Sequence, residues 1–475
     1  MTGYIFSAIL VLYPALQSVT DLGLQLAFQL AVLAVFLAWL FLKASGPGLP
    51  GGLADRRFLP LWAAAALSLA AAAFSPFSGY IVGEWGNFGC GLLIFLCASF
   101  MPQEERERAG RALLWGAWLV VSLSVVQAFA LHNFAARPPL TNLNALALYC
   151  VMVLPVALER RAWVLSGLLV GLTIWTQSLG AALAALTAAG FYAASRGRAL
   201  KENAAVFAAL ALLGCAVLLL VQADSAAGRL AWWRGALSMI AERPLSGFGH
   251  SAYTWAQALF QPAGFREHSI YAHNYYLEFI AENGLFAAAA WFAALWAAAR
   301  RRGGLARYAV IAALAHSLVD FGLSVPANFW LFCFLLASPA PEGPAFKPSP
   351  SALRAGLLAA ALLTAALGRP FLGALAFERH RSAALAAAAA GDPAGAEAAL
   401  SAELKGDLFR QPALEFLGRI LMTTPGGELR AAACFEEALL LNRYSAASWR
   451  ALERIYSAPG REAAAAGLAR RKGAL

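Results

Sequence analysis

The sequence predicts an all-α, polytopic integral membrane protein with a soluble helical-repeat region at its C-terminal end. Three observations carry this. Of 475 residues, 61% are hydrophobic and 13% charged, against about half and a quarter in an ordinary soluble chain. The apolar residues come in blocks near the ~20-residue length of a spanning helix, at 24–42, 58–74, 109–131, 204–221 and 283–299. The basic residues fall mostly on alternate connections between the blocks.

Apolar segments start near Tyr4, Leu24, Phe58, Gly86, Ala109, Leu143, Ala162, Gly180, Ala204, Asn283, Tyr308, Asn328 and Leu353. About 12–13 transmembrane helices are therefore expected within residues 1–368. The shorter stretches at 162–175 and 329–338 would span with help from their flanks. The first segment has no basic leader and no small-residue cleavage site, so it reads as a retained helix. Residues 338–351 are Pro-rich and read as a linker. Residues 369–475 are Ala-rich with regular charges and read as soluble helices.

The net charge is +10, and its placement follows topology rather than nucleic acid. With a cytoplasmic N-terminus and alternating spans, Lys43, Arg56, Arg57, Arg106, Arg108, Arg111, Arg160, Arg161, Arg196, Arg198, Lys201, Arg300, Arg301, Arg302, Arg307, Lys347 and Arg354 fall inside. Arg137, Arg229, Arg234, Arg243 and Arg266 fall outside. The bias follows the positive-inside rule, and the five exceptions need another reason. The six cysteines have neither metal-knuckle nor disulfide-framework spacing.

No Asp-x-Asp pair, HExxH, P-loop or GxSxG occurs. No metal and no cofactor is expected. What remains is the polarity of the external side, above all the long loop at about 222–282. It contains Arg229, Arg234, Arg243 and Arg266 with His250, His268 and His273. Trp233, Leu237 and Ile240 recur at helical spacing and would lie flat on the membrane. Gly247 and Gly249 permit a tight turn. Asn274, Glu278 and Glu282 recur at i, i+4 and i+8, so they share one face of the helix that becomes the next span.

These groups admit plain readings too. A loop arginine can simply solvate or pair with lipid phosphate. Glu278 and Glu282 can be structural partners of the arginines. His273, opening the helix at the bilayer surface, is either a titratable base or a packed side chain.

Three stretches, "RPLSGFGHSAY", "YAHNYYLEFIAENGLF" and "AHSLVDFGLSVPANF", resemble the O-antigen ligase and polymerase superfamily over about residues 130–340. The matching positions are Pro244, Leu245, Gly247 and Gly249, the run Ala272 to Gly284, and His316, Asp320 and Phe321. Arg229 and Trp233 fit an Arg-then-Trp lead-in. The chain departs from the family at Leu179, where Ser-Leu-Gly-Ala stands for Ser-Arg-Gly-Ala, and Arg137 is the candidate replacement. The resemblance implies a GT-C-like membrane glycosyltransferase that moves a glycan from an undecaprenyl-pyrophosphate donor to a lipid, glycan or protein acceptor. It implies His273 as base, with Glu278 and Glu282 orienting neighbouring groups. Arg137, Arg229, Arg234, Arg266, Asn274, Tyr275, His316 and Asp320 would bind substrate. It also implies the bacterial inner membrane, with the site and tail facing the periplasm.

Residues 369–475 read as stacked helix pairs. "SAALAAAAAGDPAGAEAALSAEL" is a helix, a Gly-Asp-Pro turn and a second helix, and "AAACFEEALLLNRYSAASWRALERIYSAPG" repeats the plan. The spacing resembles tetratricopeptide repeats, with Arg443 at a position where such repeats often have Pro. Such a tail offers a surface to a protein partner. A polysaccharide or lipid transporter is the competing class, with His316 and Asp320 as its best support. A scaffold in which only the tail functions is the third.

Overall fold

A computed structural model describes residues 2–16, 22–131, 139–140, 142–195, 223–262, 265, 267, 269–340 and 343–473. Among these residues there are helices and no strand. The only extended pairing among them is a single bridge between Leu49 and Phe346. By length and composition, the helices 23–45, 103–130, 275–301 and 350–389 are long and apolar enough to cross a membrane. The apolar helices Leu143–Glu159, Trp163–Trp175, Leu179–Ser195 and Pro326–Leu336 are shorter. Among the described residues, the expected 12–13 segments thus include both long apolar helices and shorter ones. The segment expected at 204–221 lies outside the described residues.

The bundle has two chemically distinct ends. At one, Leu49 and Phe346 exchange backbone hydrogen bonds of 2.9 and 3.0 Å. There Arg106 donates to the Ala98 carbonyl at 2.7 Å and Arg302 to the Leu335 carbonyl at 2.6 Å. Arg160 reaches the Glu107 carbonyl at 3.2 Å. Arg106 and Arg302 thus take carbonyls that the last turns of two helices leave unpaired. The loops that the charge bias assigns to one side therefore do meet, apart from 196–201, which lies outside the described residues.

The other end gathers residues 74–78, 244–253, 269–274 and 317–325. The Ser75 hydroxyl bonds to the Phe248 carbonyl. The Tyr275 amide donates to the Ser317 carbonyl at 3.0 Å.

The helix Pro350–Ala389 begins beside the arginine-rich end, where Ser349 caps it through the Ala352 amide at 3.2 Å. Its 40 residues measure about 60 Å at 1.5 Å per residue, twice the hydrocarbon thickness. The boundary expected at 368/369 falls within this helix. Its far part supplies Ala384 to the core of the tail, with Phe416, Leu417, Phe435, Trp449 and Leu452. Asp392 starts the next helix by accepting from the Gly395 amide at 2.8 Å, as the Gly-Asp-Pro turn predicts.

The tail docks on residues 242–260. The Tyr444 ring meets Phe248 edge-on at 5.0 Å, and its hydroxyl donates to Glu242 at 2.8 Å. Arg443 pairs with the same carboxylate at 3.0 Å. The residue that departs from the repeat pattern is thus part of the clamp to the membrane domain.

Candidate active site

The helix Tyr275–Arg301 is broken at Gly284, where φ is 78° and ψ 168°. A break leaves carbonyls of the preceding turn without their intrahelical donors. The Pro244–Gly249 turn supplies them. The Phe248 amide donates to the Ala281 carbonyl at 3.0 Å, and the Gly249 amide to the Glu282 carbonyl at 2.6 Å. In return the Leu285 amide donates to the Pro244 carbonyl at 2.8 Å. A side chain at Gly247 would collide with the Glu282 carbonyl, and one at Gly284 with the Leu245 carbonyl. The two glycine motifs, separate in sequence, are therefore one joint.

Asn274 caps the helix, accepting from the Tyr276 and Leu277 amides at 3.1 Å each. Its amide nitrogen donates to the Leu318 carbonyl at 3.0 Å. This ties the helix start to the loop that carries Asp320.

His273 precedes the cap with φ 52°, a left-handed conformation that costs a non-glycine residue of order 1 kcal/mol. Its neighbours hold it there. The Ala272 amide donates to Glu278 at 2.6 Å, and Trp233 donates to the His273 carbonyl at 3.3 Å. The imidazole stacks on Trp232, with centroids 4.7 Å apart and planes at 18°. Phe321 meets it edge-on at 4.8 Å.

The buried Asp320 carboxylate lies between two basic groups. Arg229 Nη2 is 3.6 Å from one oxygen, and His273 Nδ1 is 3.7 Å from the other. Arg229 also donates to the Val319 carbonyl at 3.0 Å. Burial, then the Arg229 charge, push His273 down to about 3, so the ring is neutral near pH 7. With Nδ1 turned to the carboxylate, Nε2 is the nitrogen left to accept a proton. The His273 side chain keeps 15% of its surface exposed. His316 is fully buried behind it. A side chain at Gly180 would come within 3.0 Å of the His316 ring and 3.2 Å of Asp320, so the Ser-Leu-Gly-Ala element abuts the site. Leu179 itself is buried and apolar.

The sequence-expected residues divide. Arg229, His273, His316 and Asp320 come together. Arg234 is exposed on the outer side of the helix Ala223–Glu242, next to Leu230 and Leu237. The outward face of that helix is thus 230, 234 and 237. Trp233 is engaged by His273, and Ile240 packs near Phe248, because both are needed inside the loop. Arg137 and Arg266 lie outside the described residues.

Glu278 and Glu282 share a buried face, as the spacing predicts, and each holds a backbone amide. Glu278 also accepts from the Ser324 hydroxyl at 2.5 Å, and Glu282 accepts from the Tyr253 amide at 3.0 Å. Tyr275 lies apart from the Arg229–Asp320–His273 group. It is buried in the main core, and its hydroxyl accepts from Trp291 at 2.9 Å. Residue 275 follows the cap directly, and the first helical turn points it inward. The sequence reading missed Trp232, whose stacking partner is fixed only by the fold.

Residues 164–292 match the family model described as O-antigen ligase. The match contains Arg229, His273, Glu278 and Glu282 and ends before His316 and Asp320. No curated protein matches the chain. The match supports the O-antigen ligase superfamily, a glycosyltransferase-like activity and a multi-pass membrane protein.

Proposed function

We propose that this chain, with an O-antigen ligase domain at residues 164–292, transfers a glycan from an undecaprenyl-pyrophosphate donor to an acceptor hydroxyl. The reaction takes place at the periplasmic face of the bacterial inner membrane. The observation that carries this reading is the Arg229–Asp320–His273 constellation at the polar end of the bundle.

The acceptor oxygen attacks the anomeric carbon while the bond to the diphosphate oxygen breaks. Undecaprenyl pyrophosphate leaves with the bonding electrons, and the anomeric centre inverts. His273 takes the acceptor proton at Nε2, and Asp320 steadies the imidazolium that forms. Arg229, with Arg137 and Arg266, holds the diphosphate oxygens through forked donors. In the resting site His273 is a weak base, because burial and Arg229 both disfavour its charged form. An arriving diphosphate offsets Arg229 and raises His273 toward the operating pH. Glu278, Glu282 and Asn274 act by positioning the loop. No metal takes part.

The tail supports a second reading, transfer to a protein or a growing glycan, since Tyr444 seats it on the loop beside the site. A transporter is less well supported, because the polar groups gather at one end of the bundle and not midway.

The test is purified protein with labelled lipid-linked glycan in chelator. Separate arms offer a lipopolysaccharide core, a free glycan and a hydroxyl-bearing peptide. Transfer in one arm supports the reading and names the acceptor; donor left intact in all three counts against it.

A further inference from the structure

A second group of polar side chains lies between two apolar helices, near the end of the bundle that holds His273. The helix Leu22–Ser45 contributes Gln25 and Gln29, and the helix Ser78–Ser99 contributes Glu84 and Asn87. Glu84 Oε2 accepts from the Gln25 amide at 2.8 Å and from the Asn87 amide at 3.0 Å. Gln29 donates to Asn87 Oδ1 at 2.9 Å. Among the described residues, Glu84 Oε1 accepts no hydrogen bond and no cation pairs with the carboxylate. Glu84, Gln25 and Gln29 are partly exposed, so the group can be reached from outside.

Glu84 sits on the face of its helix that is turned to the site. Ile81, Glu84 and Phe88 recur at i, i+3 and i+7 and share that face. Ile81 belongs to the buried cluster that holds Ala272 and Ala281. Phe88 meets His250 at 5.2 Å and Phe279 at 5.5 Å. Tyr271 is partly exposed. Its ring stacks on Phe321 at 4.4 Å, the same ring that meets His273 edge-on. Burial, then the Glu278 and Glu84 charges, push the Tyr271 hydroxyl up, so it stays protonated and able to donate.

An ionisable group in a membrane helix is expensive and marks a functional site. A carboxylate with a free oxygen, a primary amide and a phenol are what sugar hydroxyls bond to. Charge narrows the ligand further. A carboxylate without a cation repels the diphosphate that Arg229 attracts, so an uncharged ring suits Glu84 and a phosphate does not.

We propose that Glu84, with Gln25 and Tyr271, binds the hydroxyls of an uncharged sugar ring beside the Arg229–Asp320–His273 group. The inference rests on the transfer reading and gives that site its sugar subsite. The chemistry is the same for a ring of the acceptor and for the first sugar of the donor.

The test uses the full chain in detergent, with methyl glucoside, methyl galactoside, methyl mannoside and glucuronic acid as probes. Ligand-observed magnetic resonance titrations read binding without turnover. Wild type should bind at least one neutral ring saturably and glucuronate roughly tenfold more weakly. Glu84→Gln keeps the shape and removes the charge. It should weaken the neutral ring about tenfold, as for a lost hydrogen bond to a charged group, and bring glucuronate level with it. Tyr271→Phe, which removes one hydroxyl, should weaken the neutral ring roughly fivefold, and it decides if Glu84→Gln does not fold. In a transfer assay, a raised acceptor KM in Glu84→Gln assigns the ring to the acceptor, and a raised donor KM assigns it to the donor. No saturable binding of any neutral ring by folded wild type would overturn the proposal. So would a neutral-to-acidic preference unchanged in Glu84→Gln, which is what a purely structural carboxylate predicts. A protein that holds the sugar yet transfers nothing would count against the transfer reading alone.

Discussion

Arg229 Nη2 lies 3.6 Å from the Asp320 carboxylate, and both side chains are buried. The pair joins the helix Ala223–Glu242 to the loop after the helix Ala306–His316. Removing one member leaves the other as a buried charge without its counter-ion, which typically costs about 3–5 kcal/mol. Arg229→Ala should therefore destabilise more than Arg229→Ala combined with Asp320→Asn, in which both charges are gone. Denaturation midpoints of the two singles and the double give the coupling. Additive effects would mean that the two groups do not sense each other.

The joint at Gly284 makes a sharper prediction. Gly284 and Gly247 both have positive φ, and a side chain on either meets backbone. Gly284→Ala and Gly247→Ala should each destabilise by more than the ~1 kcal/mol of an ordinary helical Gly–Ala difference, with the sign reversed. Gly190→Ala, where a side chain meets nothing within 4 Å, is the control and should not destabilise. A Gly284→Ala protein as stable as wild type would show the helix to be continuous there.

His273 sets a pH dependence. Its folded-state value of about 3 lies below the ordinary 6.5, so between those values the unfolded chain binds the extra proton. Stability is then complete above pH 6.5 and falls as pH drops toward 3. From pH 6.5 to 5 the loss from this residue reaches about 2 kcal/mol at most. His250, pushed down to about 4 by burial, acts in the same direction. His273→Gln should flatten the acid limb of a stability–pH curve. An unchanged slope would mean that the ring is solvated.

Tyr444 and Arg443 on Glu242 place the tail on the same side as the loop. In intact cells, single cysteines replacing Ser238 and Ser401, both exposed, should react with an impermeant reagent while one replacing Arg307 stays protected. Reaction at 238 with protection at 401 would separate the two and undo the clamp.

Much of this was legible because it is local. Apolar block length gives the membrane class, and the alternation of basic residues gives the two ends. The Asn274 cap and the shared face of Glu278 and Glu282 follow from helical spacing. Their partners did not follow. Which group Glu278 accepts from depends on how residues 269–274 fold back, and periodicity carries no such information. The Pro244–Gly249 turn and Gly284 each read as glycine punctuation, yet they are one joint only because broken-helix carbonyls require donors from elsewhere. The burial of Tyr275 in the core was not legible either, since motif adjacency to His273 says nothing about which way a first-turn side chain points. Arg234 shares the helix of Arg229, but five residues of rotation turn it outward.

The central claim is that His273 takes the acceptor proton. The most direct measurement is release of undecaprenyl pyrophosphate from a lipid-linked glycan donor by purified wild type, His273→Ala and His273→Gln, beside melting curves and donor binding. Losing a general base lowers rate ~100- to 10,000-fold. Both variants should fall in that range while still binding donor, and His273→Gln, close in size, should melt near wild type. Transfer within a few-fold of wild type by a folded His273→Gln protein would contradict the account.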